Sequence, residues 1–409
     1  VAEIAQSSFK SCGWNERQGS ICPPFWPGFA ASKDGQVTAP FSLKDREMKI
    51  GIVGLSLCGK TTLFNALTGS AIDTTAYLGG KKDAHHAIVK VPDERIERLN
   101  EIFMPKKKTL ATIEYIDLAG LSANPQKKGG FSDQFLGQIR LVDAILVQVR
   151  QFVNGNVPHP LDKIDPQRDL ELIQSEFILS DLSIIENRLG RLEKQLRVKK
   201  TDSDTKEYAL LEKFKALLED GKVLRDLELS AEDELMIRGF QFLSRKPIIV
   251  VININEDEIS QEDALLARFS GWQGKNSRVV PIAAQIESEI QQLSAEEAVV
   301  FRADLGIETS AMDRLIRESF SLLGIINFFT VGEDEVRAWT IPANTAAPMA
   351  AGAIHTDFER GFIRAEVVAY LDFIQRKSLA QCRNDGVLRL EGRDYIVKDG
   401  DIINFRFAI

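Results

Sequence analysis

Lys60 and Thr61 close the string Gly54-Leu55-Ser56-Leu57-Cys58-Gly59-Lys60-Thr61, which fits the phosphate-binding pattern G-x-x-x-x-G-K-[ST]. These residue types suit one task, holding the phosphates of a nucleotide. Gly54 and Gly59 let backbone N–H groups curl around phosphate oxygens, Lys60 reaches the outer phosphates as the expected catalytic cation, and Thr61 offers a hydroxyl to Mg²⁺. Thr62 opens a helix whose N-terminus adds partial positive charge. A second group, Asp117-Leu118-Ala119-Gly120, has the D-x-x-G form and starts 57 residues after Lys60. Asp117 is expected to hold Mg²⁺ through water, and the Gly120 N–H to sense the terminal phosphate in catalysis. A third, Asn253-Ile254-Asn255-Glu256, stands where a base-reading loop belongs. It departs from the guanine code N-K-x-D, with Asn255 for the lysine and Glu256 for the aspartate. The longer glutamate arm displaces the acceptor by about one carbon, which weakens the case for guanine.

These groups act together only if strands deliver them to one edge of a sheet. Lys49–Val53 reads as a short apolar strand before the loop, and Thr62–Leu67 as the helix behind it. Thr112–Ile116 reads as a strand running into Asp117, Ala144–Val147 as a third strand, and Lys246–Ile252 as a fourth running into Asn253. A last strand, Arg278–Ala283, leads to Ala284, so Ala283 and Ala284 are expected in the loop that packs over a base. Ligands of open parallel sheets bind at the C-terminal ends of the strands, where all these loops fall. Between the third and fourth strands, Ile178, Leu182, Ile185, Leu189, Leu192 and Leu196 alternate four- and three-residue steps, the seam of a coiled coil. Leu210, Phe214 and Leu217 continue the stripe after the polar turn at 199–204, giving an antiparallel helical hairpin. The C-terminal residues alternate apolar and polar positions, with a turn at Lys398-Asp399-Gly400, as in a small β-rich module.

Length and charge set the outer limits. A chain of 409 residues with 44% hydrophobic content calls for two or three domains with real cores. Net charge of −8 argues against general electrostatic binding to DNA, RNA or anionic membrane, and no apolar run is long enough to span a bilayer. Cys12, Cys22, Cys58 and Cys382 lack metal-ligand spacing and suit a reducing compartment, so a cytoplasmic location is expected. Residues 1–47 show no sustained period and precede Met48, the first methionine; a disordered arm or a start-site artefact is expected there. The expected division is 48–161 and 236–326 for the two parts of the nucleotide domain, 162–235 for the hairpin and 327–409 for the C-terminal module.

With these motifs in order, the chain resembles the YchF group of Obg-related P-loop nucleotidases, the Obg-like ATPases. The resemblance runs from Met48 to Ile409. It is most specific at Asn253–Glu256, at Glu335–Ile341, at His355–Arg364 and at Asp394–Asp401, and the last three look like the small ubiquitin-like TGS domain. The resemblance implies ATP hydrolysed in preference to GTP, association with ribosomes and a helical insert, while Mg²⁺ as cofactor is expected from Thr61 and Asp117. A monomer is expected.

Several positions depart from the pattern of ordinary GTPases or of the family, which itself shares an apolar residue at the position of Leu121. Leu121 follows Gly120 where many GTPases carry a water-orienting glutamine, so slow intrinsic hydrolysis is expected. Leu57 stands where the family usually has an asparagine, and Val147 where some members offer a histidine. The segment Leu78–His86 holds no threonine for Mg²⁺; Thr74 and Thr75 lie upstream, and the loop reads as solvated. His85 and His86 fall short of a metal site. Cys58, near a helix N-terminus, reads either as a thiol of lowered pKa with mild redox sensitivity or as a small residue packed against the sheet. Residues 327–409 carry 10 Lys plus Arg against 12 Asp plus Glu, so ribosome docking there needs a local patch; Arg337, Arg360 and Arg364 are candidates. The reading is Mg²⁺-dependent nucleoside triphosphate binding with slow hydrolysis, ATP favoured. Its alternatives are a nucleotide-gated interaction module without turnover, or a GTP-binding ribosome-associated GTPase.

Overall fold

The computed structural model describes residues 48–69, 85–118, 131–307 and 309–408, with the two-residue strands Ala30–Ala31 and Val37–Thr38, which pair antiparallel. The expectation for 1–47 otherwise lies outside the described residues, as do those for Thr74, Thr75, the stretch 78–84, Gly120 and Leu121.

The first sheet has six strands. β1 (Lys49–Val53) lies between β4 (Thr112–Asp117) and β5 (Ala144–Arg150), and β6 (Ile248–Asn253) and β7 (Ser277–Ile282) extend it, all parallel. β2 (His85–Lys90) closes the other edge antiparallel to β4. His85 and His86, read as the end of a loop, therefore belong to an edge strand. His86 Nδ1 sits 2.6 Å from Glu114 Oε1 across that pair. β5 and β6 are buried at every position, which explains their near-continuous apolar runs. Helices cover both faces. On one face α1 (Lys60–Thr68), α2 (Glu94–Phe103) and α7 (Ala311–Leu322) bury Leu63, Phe64, Ile96, Leu99 and Leu315; on the other α3 (Asp133–Ile139) and α4 (Pro166–Val198) bury Phe135, Ile139, Leu170 and Phe177.

α4 starts from Asp165, whose side chain caps the Arg168 N–H, with Pro166 at the first turn. Its 33 residues reach roughly 50 Å. The root of α4 is part of the nucleotide core through Leu170, Ile173 and Phe177. Beyond it Ile178, Ile185, Leu189 and Leu192 pack on Leu210, Leu211, Phe214 and Leu218 of α5 (Asp202–Glu219). The expected seam is present, with Leu182, Leu196 and Leu217 only half-buried and Leu211 and Leu218 taking full burial on the second arm. Where helix and sheet meet, the fully buried Asp181 accepts from Arg140 Nη1, Leu243 N, Ser244 N and Ser244 Oγ at 2.7–3.0 Å.

The second sheet has the order β11-β10-β12-β8-β9-β3, where β8 is Ile325–Thr330, β9 Glu335–Pro342, β10 Phe362–Ala369, β11 Arg389–Glu391 and β12 Asp401–Phe407. Its outer strand β3 (Lys107–Thr109) comes from the nucleotide half and pairs parallel with β9, Lys107 opposite Glu335 and Thr109 opposite Arg337. The sheet therefore includes chain from both sides of the expected boundary at 327. The apolar face of β8 and β9 joins the nucleotide core itself: Phe329, Val336 and Ala338 lie in one cluster with Leu63, Ile96 and Leu99. Arg95 seals the rim, donating to Asp93 and to Asp399 Oδ2 at 2.6 Å, while Asp399 Oδ1 accepts from Asn327 N.

Candidate functional site

The phosphate loop occupies the turn from β1 into α1, and two glycines make it possible. At Gly54 a Cβ would collide with the Gln148 carbonyl and Cys58 Sγ. Gly59 has φ +95°, and a Cβ there would collide with Asn253 Nδ2. Asn253, at the end of β6, is the residue that ties the loop down. Its Nδ2 donates to the Cys58 carbonyl at 3.0 Å and its Oδ1 accepts from Ala284 N at 3.2 Å, while Gln148 Nε2 donates to the same Cys58 carbonyl at 3.1 Å. Phosphate loop, base loop and the last loop are thereby fixed to one another through a single buried amide. Lys60 is also buried, and its Nζ donates to Gly54 O (2.9 Å) and Leu55 O (2.7 Å). The ammonium is thus held at the mouth of the loop, where its third donor makes only a long 4.0 Å contact to Cys58 Sγ, which an outer phosphate can replace.

Above the loop opens a cavity of about 810 Å³, within the range of small-molecule sites. Ser56, Leu57, Gly59, Lys60, Thr61 and Thr62 form its phosphate end. Asn253, Ile254, Asn255, Glu256 and Ala283 form its other end. The cavity is electrostatically bipolar. Lys60 and the α1 N-terminus supply positive charge at one end, and the exposed Glu256 and Glu289 supply acceptors at the other. Asn255 N donates to Glu258 Oε2 at 3.0 Å, closing the short turn Glu256–Gln261 and fixing where Glu256 projects from the chain.

Four residues read as nucleotide-binding do not wall the cavity. Gly54, Leu55, Cys58 and Ala284 lie beneath it, where Ala284 serves through its main-chain N–H to Asn253. Of the two readings of Cys58, the structure supports the packed residue. It is 3% exposed, and burial pushes its pKa up, against the nearby Lys60, so it is a packed residue and not an activated thiolate. Leu57 has φ +63°, a left-handed conformation that L-residues avoid and that asparagine tolerates, and its side chain is exposed.

Asp117 ends β4, opposite Ile52 of β1, and is buried at 1% exposure; its charge acts on Cys58 from beside the loop. Thr61 hydroxyl and Asp117 carboxylate are hard oxygen donors next to the phosphate end, a donor set that suits Mg²⁺. Among the described residues no cluster of three or more His, Cys, Asp or Glu could hold a metal by itself, so a cation here would also take ligands from nucleotide and water.

The residues that the motifs did not reveal are Gln285, Ile286 and Glu289, and Phe152, Val153, Asn154 and Val157, the last four of which wall the base end. Arg150 positions these four. Its guanidinium is 1% exposed and donates to the carbonyls of Phe152, Asn154, Val157 and Pro158 at 2.9–3.4 Å, with its carbon 4.3 Å from the Phe152 ring centroid. A charged residue ending the buried run Ala144–Arg150 was the available signal.

A glycine-bracketed loop between strand and helix, a buried lysine at its mouth and a base end at the neighbouring strand tips define a P-loop nucleotide-binding protein of the α/β class. Comparison with known proteins agrees. The family model described as a 50S ribosome-binding GTPase matches residues 49–188, and that of the YchF-type GTPase C-terminus, described as a protein of unknown function, matches 325–408. The Bacillus subtilis protein named ribosome-binding ATPase YchF is 41% identical over 364 residues, 88% of this chain and 99% of the relative. Its namesake from Escherichia coli O157:H7 is 42% identical over the same shares. The solved Schizosaccharomyces pombe YchF GTPase superposes with a TM-score of 0.77 at 31% identity, covering 88% of this chain and 98% of that one. The chain belongs to the YchF family.

Proposed function

We propose that this protein binds ATP with Mg²⁺ and hydrolyses it slowly, in the cytoplasm and in association with ribosomes. The observation that carries the reading is the continuous cavity joining Lys60 and Thr61 to Asn253 and Glu256, which matches a triphosphate at one end and a base at the other. Lys60 trades part of its bonding to the Gly54 and Leu55 carbonyls for phosphate oxygens, and the loop N–H groups take the rest of the charge. Thr61 and Asp117 hold Mg²⁺, which when bound neutralises charge developing on the phosphates. Glu256 offers an acceptor to an exocyclic amine, and Phe152 an apolar flank to the ring. Gly120 completes the reading as the sensor of the terminal phosphate. The names of the curated relatives support the ribosome and ATP.

A second reading has its own support: the family model over 49–188 and the Schizosaccharomyces pombe structure both carry the word GTPase. The two separate in one experiment, titration with ATP and GTP in Mg²⁺ followed by single-turnover phosphate release with and without ribosomes. Tighter ATP with slow release upholds the proposal. Tighter GTP replaces it with the second reading, and binding without release under either condition leaves a nucleotide-gated interaction module.

A further inference from the structure

At the opposite ends of the strands from the nucleotide cavity, a small cavity of about 60 Å³ lies between the root of the hairpin and the sheet. Asp143 precedes β5, Pro247 precedes β6 and Asn276 precedes β7; the other wall comes from Arg225 and from α6 (Ala231–Ile237) and the turn after it. Arg225 is the anomaly. It is 5% exposed, no described residue accepts a hydrogen bond from its guanidinium, and its Nε is a buried donor without a partner. The nearby carboxylates are engaged elsewhere. Glu234 forms an ion pair with Arg245, and Asp143 Oδ2 accepts from Lys49 N at 3.0 Å. Arg245 also donates to the carbonyls of Leu224 (2.9 Å) and Leu227 (3.2 Å), so the main chain of the turn that carries Arg225 is fixed. The wall carries four cations, Arg225, Arg238, Arg245 and Lys246, against the two carboxylates Asp143 and Glu234.

Buried charges in folded proteins are paired, and an arginine cannot escape the requirement by losing its proton near neutral pH. Burial pushes the Arg225 guanidinium down only to about 10, with Asp226 and Asp181 opposing. We propose that this cavity is a binding site for a small tetrahedral oxyanion of the phosphate class, held by the Arg225 guanidinium between the hairpin root and the sheet. The size fits, since one water needs roughly 10–15 Å³ of such space and 60 Å³ therefore admits about four oxygen-sized spheres. The planar fork of arginine donors matches phosphate geometry. Binding there stitches the Arg225 turn and α6 to the sheet without touching the nucleotide cavity.

The test uses full-length protein. Crystals soaked in selenate locate the anion by its anomalous signal, and calorimetric titration with inorganic phosphate is run in a Lys60→Ala background to weaken phosphate uptake by the loop. The expected results are an anomalous peak within hydrogen-bonding distance of Arg225, and phosphate affinity that falls at least tenfold in Arg225→Met and less in Arg225→Lys. Arg225→Lys keeps the charge and decides the matter if Arg225→Met does not fold. No peak at Arg225 in crystals whose phosphate loop is occupied, or phosphate affinity unchanged in Arg225→Lys and in any folded Arg225→Met, overturns the proposal.

Discussion

If Asn253 is the tie between phosphate loop and base loop, Gly59→Ala and Asn253→Ala must be coupled. Gly59→Ala does two things. It forces a side chain onto φ +95°, a strain of about 1–3 kcal/mol, and it drives Asn253 Nδ2 out of its place. Displacing that amide leaves Ala284 N without its acceptor and removes one of two donors to the Cys58 carbonyl, a loss of about 1–3 kcal/mol that falls mostly on the orphaned N–H, since Gln148 still serves the carbonyl. Asn253→Ala alone incurs this second loss. In the double variant the strain remains but the tie can be lost only once, so the two single effects overshoot the double by about 1–3 kcal/mol. The same coupling appears in nucleotide affinity as roughly 5- to 150-fold, because the tie fixes both ends of the cavity. Urea unfolding and nucleotide titration of the four proteins measure it. Additivity within about 0.5 kcal/mol in both assays would refute the reasoning and reduce Asn253 to a wall residue.

Leu57→Asn relieves a left-handed backbone that costs a leucine about 1–2 kcal/mol; a gain of about 0.5–1 kcal/mol in urea is expected, and a loss would count against the strain. Asp181→Ala leaves the Arg140 guanidinium, 14% exposed, and the Leu243 and Ser244 N–H groups without their acceptor, and should destabilise by about 3–5 kcal/mol; a loss under 1 kcal/mol would show the junction to be wet. At Glu114 burial pushes the carboxyl up, but bonds from His86 and Lys49 outweigh it and hold the group below 4.5. A depressed carboxyl stabilises the fold above its unfolded value and loses that contribution as pH falls through its folded value, so Glu114→Gln should cost up to about 1 kcal/mol at pH 7, and the difference from the parent should fade below pH 4.5. A difference that persists at pH 3 would place its origin in packing. Arg150→Met removes the four hydrogen bonds that the guanidinium makes to the 152–158 loop and should raise the nucleotide KM or Kd at least tenfold with Lys60 intact; unchanged affinity would show that the loop holds itself.

What the sequence showed well were the parts where one residue type alone meets a geometric need. Gly59 must be glycine where φ is +95°, and the alternation of strand and loop follows from runs such as Ile248–Asn253 that are buried on both faces. The hairpin was visible because its seam has a period. Its second arm was less so, since Leu211 and Leu218 share that face with residues whose spacing competes for the same stripe. The base end was the least legible. Phe152, Asn154 and Val157 are held by an arginine that spends its donors on carbonyls, and main-chain acceptors leave no mark in a sequence. Of the two readings of Cys58, the packed one holds: proximity to a helix N-terminus lowers a thiol only if water or a cation reaches it, and 3% exposure reverses the sign despite Lys60.

The placement of β3 carries a mechanical consequence. Lys107–Thr109 forms the edge of the C-terminal sheet, and only two residues separate it from β4, the strand that delivers Asp117 beside the phosphate loop. Two residues span too little chain to act as a flexible linker, and the joint is reinforced by the shared core of Phe329, Val336 and Ala338 with Ile96 and Leu99 and by the Arg95 bonds to Asp93 and Asp399. Separate domains ordinarily meet through small polar interfaces and move against one another. Here β3 of the C-terminal sheet runs through Leu110 and Ala111 into β4 of the sheet that holds the site, so a force on β9 passes by the β9–β3 backbone hydrogen bonds and then by two residues of chain to the Asp117 strand. The hairpin shares this property, since α4 belongs to the nucleotide core at Leu170 and to the hairpin core at Ile185. Both appendages are therefore built to be positioned by the nucleotide domain as rigid bodies.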